Sequence, residues 1–490
     1  MIPDNLRFGG GTAGTFLSPV VLVAILVAGI VICISSRRNA LIAFLAAAIL
    51  IPPDQVLLLG GVHLPMLRIL AIFGLVRVLR GKFSKKLPIF SGGMNRIDQA
   101  IIVLSVFVFI NGLLLWQVWG QLVFQLGSLL SAFGAYFLLR FLIRDLADVR
   151  YAIRVLAVVA AVVAVLMAYE HQTGKNLLYS TLGGARADVL GSSIVRDDHL
   201  RAAGPFGHPI LAGTFGGILL PLFIGLWWKK EEKNDRTYAA LGVAAATVIS
   251  FSASSSTALF GLLGGIVGLC FWPLRRRMRV IRWGIVGTLV SLHLYMRSPV
   301  WHLISDIDLT GSSSSYHRYQ LINQCVLHFW DWVLVGTKNY ESWGWDMWDL
   351  SNQYVAYADQ YGLIPLLSFL AIIVLAFRYL GKARRSEPDR KQQVFIWALG
   401  ASMFANVVAF FGISYFDQTI VAWYALLAMI SAVAVAARRA QRDSGKHGST
   451  DDVLAMSLHN DTSVEIAHVT TAKSLADGMR GFGGRQGVLS

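Results

Sequence analysis

Long apolar stretches recur from Leu17 to Ala437, separated by short polar links. Most approach the roughly 20 residues that cross a bilayer as helix. Leu41 to Leu50 and Val155 to Met167 are apolar on every side, whereas strands of a membrane barrel alternate apolar and polar residues over about 10 positions. The pattern predicts an all-α polytopic membrane protein of about 12–13 transmembrane helices. The first apolar run, Leu17 to Ser35, is followed by Arg37 and Arg38 instead of a small-residue cleavage site, so it reads as a retained span.

Two links are long, residues 170–209 and 297–353, and loops of that size usually carry function. Beyond Ala437 the apolar pattern stops. Residues 1–437 thus form the membrane domain, and 438–490, polar and without sustained period, a flexible cytoplasmic tail.

Composition agrees. Of 490 residues, 55% are hydrophobic and 14% charged, against about 25% charged in soluble domains. A soluble enzyme, a collagen and a disordered chain are excluded. The net charge of +15 does not point to nucleic acid, because Lys and Arg cluster in alternate links, as membrane orientation requires. Basic links include Arg77 to Arg96, Arg140 to Arg154, Arg275 to Arg282 and Arg378 to Lys391; these are assigned to the cytoplasm. Pro52 to Pro65, Trp116 to Gln121, Glu170 to Pro209, Ser252 to Ser256, Arg297 to Gln353 and Gly412 to Gln418 are poor in Lys and Arg for their size and are assigned outside, making 297–353 a large periplasmic loop. Cys33, Cys270 and Cys325 are scattered and make neither a disulfide framework nor a metal spacing.

Polar clusters at the outer mouths of apolar spans are the candidate chemistry. One is Arg196 to Arg201, leading through Gly204-Pro205-Phe206-Gly207-His208-Pro209 into a span. Pro209 suits a first helical turn, whose N–H groups together with Arg201 would make an anion site. Arg201 can instead snorkel or pair with Asp197 or Asp198, and Asp197, Asp198 and His199 are a weak metal alternative. A second cluster, Ser312 to Tyr319, opens an amphipathic stretch and carries His317 and Arg318. A third, Trp348 to Tyr354, carries Asp349, Ser351 and Asn352; its bland reading is a helix cap by Ser351 or Asp349. Trp330 to Asp349 holds five Trp and one Tyr, an interfacial belt or a surface for stacking sugar rings. No phosphate-binding P-loop, dinucleotide fingerprint or zinc-hydrolase motif is present.

Together these clusters resemble the O-antigen ligase and polymerase family of bacterial inner-membrane proteins, which includes exopolysaccharide polymerases. Arg201 with Gly204 to Pro209 resembles the family's Arg and Gly-Phe-Gly-x-Pro turn. Ser252-Ala253-Ser254-Ser255-Ser256-Thr257 resembles its Ser-rich outer turn, Arg318 the second Arg, and Ser351-Asn352-Gln353-Tyr354 with Gly362-Leu363 its His-Asn-x-Tyr motif. Ser256 stands where many relatives carry Arg, and Ser351 replaces the His proposed there as the base.

The resemblance implies a metal-independent glycosyltransferase without cofactor. It would move glycan from a polyprenyl-pyrophosphate carrier to an acceptor glycan or lipid hydroxyl outside the inner membrane, with a chain-length regulator or export proteins as further partners. Arg201 and Arg318 would hold the pyrophosphate. Asp349 would be the base, with His317 and His208 as rivals, and His208, Asn352, Tyr354, Trp345 and Trp348 would line the substrate site. The two departures favour a polymerase over ligation onto a lipid core. A multi-span transporter is the alternative of another class, with a lipid-linked glycan translocase between them; a transporter would place broken helices and ionisable residues at mid-membrane.

Overall fold

The structure is a computed structural model and describes residues 17–59, 62–85, 90–183, 194–196, 199–228, 233–306 and 314–441. Asp197, Asp198, Ser312, Ser313 and the tail from 442 lie outside the described residues. The chain is overwhelmingly helical, and among the described residues seven helices are long and apolar enough to cross a membrane. They are Arg96–Trp116, Trp119–Leu142, Leu146–Thr173, Pro209–Trp228, Leu363–Ser386, Arg390–Ala409 and Asp417–Gln441. Pro19–Ile34 and Ser256–Cys270 are shorter apolar helices. This is the architecture of a multi-pass helical membrane protein. Among the described residues, strands are confined to two small antiparallel hairpins, Val56–Leu59 with Val62–Pro65 and Ile194–Arg196 with His199–Arg201. One compact unit runs to Val435; of the second, Ala436 onward, residues 436–441 are described and helical.

Pro209–Trp228 is the central helix and is buried along almost its whole length. Its small residues explain how neighbours reach it: a Cβ at Gly213 would meet Ala253 and Ala258, and one at Gly217 would meet the backbone of Leu262 and Ala258. Lipid tails are as apolar as Leu, so close backbone approach and buried hydroxyl contacts hold such a bundle together. Ser250 donates to the Gly213 carbonyl (3.2 Å), Ser402 to Ile218 (2.6 Å) and Thr419 to Leu211 (3.2 Å). Arg154–Asp235 (2.7 Å) and Arg140–Asp98 (3.4 Å) are ion pairs from links assigned to the cytoplasm.

At the opposite end, residues 314–361 build a small core of their own around Leu321, Cys325, Trp332, Met347, Leu350 and Val355. Asn111 donates to the Tyr361 carbonyl (2.6 Å), docking this core on the Arg96–Trp116 helix. Trp332 of the aromatic stretch is thus part of a packed core, with Tyr340 and Trp343 against it.

Candidate functional site

The Ser252–Thr257 turn is where the separated clusters meet. The Asp235–Ser252 helix ends there and the Ser256–Cys270 helix begins. Residues 200–202 run beside it: the Ala202 N–H donates to the Ser252 carbonyl (3.0 Å), and the Ser254 hydroxyl donates to that of Leu200 (3.2 Å). This lays Arg201 along the turn, where its Nε donates to the Ala253 carbonyl (3.4 Å). Arg318, in the first turns of the Ser314–Leu327 helix, reaches the same place from the aromatic loop. Its Nη2 donates to Ser256 Oγ (3.0 Å) and Thr257 Oγ1 (2.9 Å), and its guanidinium lies 5.9 Å from the Phe260 ring centre. Arg201 is 5% and Arg318 7% exposed. Two buried guanidinium groups thus meet on one six-residue turn.

Sequence reasoning treated Glu170 only as a loop boundary. The structure makes it the organiser of the turn after Arg201. Its Oε2 accepts from the N–H groups of Ala203 (3.1 Å) and Gly204 (2.7 Å) and from Asn176 Nδ2 (2.9 Å). Gly204 has φ of +59°, and a Cβ there would press on Met167 at 2.9 Å, so this position requires glycine. The signal for Glu170 was present: a carboxylate closing a long apolar helix.

His208 uses Nδ1 to accept from the Ile210 N–H (3.2 Å), and its carbonyl accepts from Leu211 and Ala212. The N–H groups expected to bind an anion at this helix end are therefore taken by His208 itself.

Asp349 lies on the surface beside Arg318's neighbour. His317 Nε2 is 3.0 Å from the Asp349 carbonyl, which can only accept, so Nε2 carries the proton and Nδ1 is the basic nitrogen. That Nδ1 is buried and makes no hydrogen bond. Desolvation pushes the Asp349 carboxyl above the usual range, with Asp346 adding to the shift and His317 opposing it. Trp345 and Trp348, expected to line the substrate site, are both exposed, Trp345 by 85%.

Neither Ser351 nor Asp349 caps the next helix. Asn352 does, its Oδ1 accepting from Tyr354 (3.0 Å) and Val355 (3.2 Å). Asn352 is fully buried, and Tyr354 donates its hydroxyl to the Val407 carbonyl (3.0 Å). Gln353 accepts at Oε1 from the Tyr415 N–H (2.6 Å), and Thr257 donates to the Gly412 carbonyl (3.2 Å), which ties the third cluster to the Arg-bearing turn through the 410–415 loop. Asn352 and Tyr354 therefore sit as framework, whereas Arg201 and Arg318 are buried beside the Ser252–Thr257 turn and Asp349, Trp345 and Trp348 are exposed. Among the described residues no three His, Cys, Asp or Glu side chains converge to hold a metal.

No protein-family model matches the chain, and no curated protein matches it.

Proposed function

We propose that the protein is a metal-independent inner-membrane glycosyltransferase that moves glycan from a polyprenyl-pyrophosphate carrier to an acceptor hydroxyl on the periplasmic side, extending an exopolysaccharide or O-antigen chain. The observation that carries this reading is the convergence of Arg201 and Arg318 on the Ser252–Thr257 turn. A sugar pyrophosphate already has a good leaving group, so catalysis consists mainly of holding the developing diphosphate charge with preorganised cations. Ser256, where many members of the resembled family carry Arg, accepts from Arg318 here and so orients the remaining cation.

The acceptor hydroxyl loses its proton to a base beside Arg318, which is Asp349 or the Nδ1 of His317. Its oxygen forms the new bond to the anomeric carbon as the bond to the diphosphate breaks. Trp345 and Trp348 offer stacking faces for the glycan. Below the arginines, Leu263, Ile266 and Val267 of the Ser256–Cys270 helix are exposed, an apolar track for the carrier's tail. About 12–13 crossings, with residues 297–353 outside, complete this reading.

The test is an in vitro assay of the full-length protein with purified lipid-linked repeat unit. Chain extension in the wild type, lost in Arg201→Ala and Arg318→Ala, is the expected result. Unchanged extension in both variants would remove the pyrophosphate role.

A further inference from the structure

At the same end of the bundle, but away from the paired arginines, the Val56–Leu59/Val62–Pro65 hairpin leads into the Met66–Lys85 helix with Arg68 in its first turn. The segment before the hairpin is tied to the turn after Arg201 by Gln418, whose Nε2 donates to both the Ile51 (3.1 Å) and Pro205 (2.6 Å) carbonyls. Arg68 is 7% exposed. It donates to the His63 carbonyl (3.0 Å), and among the described residues no carboxylate pairs with it. Its guanidinium lies against Gly127 of the Trp119–Leu142 helix, in space that any side chain at 127 would fill. A lone guanidinium withdrawn from water is costly and calls for an anion.

The same two helices enclose an apolar cleft of about 420 Å³, lined by Gly74, Leu75, Val78, Leu126, Leu130 and Phe133 among others. That volume is in the range of small-ligand sites. Leu126, which lines the cleft, adjoins Gly127 in the chain, so the Leu126 end of the cleft lies next to the contact between Arg68 and Gly127. Leu75 and Leu126 are each about half exposed, leaving the cleft open to the side. A cation at one end of a laterally open apolar cleft matches an amphiphile with an anionic head.

We propose that this cleft seats one anionic phospholipid of the surrounding bilayer, its phosphate on Arg68 and an acyl chain between the Met66–Lys85 and Trp119–Leu142 helices. A single guanidinium matches the single charge of a phosphodiester, whereas a diphosphate calls for the paired arginines of the other site. The inference is independent of the glycosyl-transfer reading.

The full-length protein is placed in nanodiscs containing equal parts phosphatidylglycerol and phosphatidylcholine, then extracted and weighed by native mass spectrometry. The wild type retains one phosphatidylglycerol in preference to phosphatidylcholine. Arg68→Gln lowers that retention roughly tenfold, as loss of a charge-assisted contact predicts, and Arg68→Lys keeps part of the preference. Leu75→Trp, which fills the cleft from a rim position without touching the core, lowers retention even where Arg68→Gln fails to fold. Equal retention of both lipids by the wild type, or wild-type retention by a folded Arg68→Gln or by Leu75→Trp, would overturn the proposal.

Discussion

In the proposed reaction Arg201 and Arg318 would act through geometry that only a guanidinium offers. Each is buried, and Arg318 sends one amino group to two hydroxyls. Replacing either by Ala should lower turnover by about 100-fold or more while the protein remains in the membrane, because transition-state charge loses a fixed donor. Arg318→Lys should recover only part, since an ammonium lacks the planar fork. Steady-state rates with membrane levels read by immunoblot check both.

The base is a separate residue-scale question. Asp349 has its carboxyl raised by desolvation, so it takes up a proton at a higher pH than an ordinary aspartate. If it is the base, turnover falls on the acid side through that raised value, Asp349→Asn loses nearly all activity with donor binding retained, and Ser351→His is tolerated. Because Asn352 is the cap, Asp349→Asn carries no capping penalty that could mimic this loss. Near-normal turnover of Asp349→Asn, with loss in His317→Gln, would assign the role to the His317 Nδ1.

At the scale of elements, the Gln353–Tyr361 helix joins site to scaffold. Its N-terminus depends on Asn352, so Asn352→Ala should cost about 1 kcal/mol or somewhat more, while Asn352→Asp keeps the cap. Farther along, Asp359 is buried in the loop core, and its Oδ1 has no partner among the described residues. Burial pushes its carboxyl up to about 7. Between about pH 4 and that value, the folded protein holds a proton that the unfolded chain has released, so stability falls as pH rises and levels off above it. The whole change is bounded at roughly 4 kcal/mol. Thermal melts at pH 5 and pH 8 should differ in this direction for the wild type and differ much less for Asp359→Asn.

For the whole molecule, the alternation of basic and non-basic links orients the chain. A Cys introduced at Trp345 should react with a membrane-impermeant reagent in intact spheroplasts, and one at Arg384 should react only after permeabilisation. The reverse pattern would turn the candidate site to the cytoplasm and exclude a periplasmic acceptor.

Long apolar runs by themselves determined the helical membrane class, because the bilayer demands such runs whatever their neighbours are. Residue order also marked Arg201 at a span end and Arg318 in the first turn of an amphipathic stretch, and the family resemblance marked the Ser-rich turn. Only the tertiary structure decided that these meet on one turn, since positions 201, 252–257 and 318 become neighbours through packing around the Pro209–Trp228 helix. It likewise decided which polar residues were spent on the fold. Asn352 is consumed by a cap, His208 by the first turn of the central helix and Glu170 by the N–H groups of residues 203 and 204. A sequence shows which groups can hydrogen-bond; the packed chain determines which partners lie within 3 Å or so and leaves the remainder for chemistry.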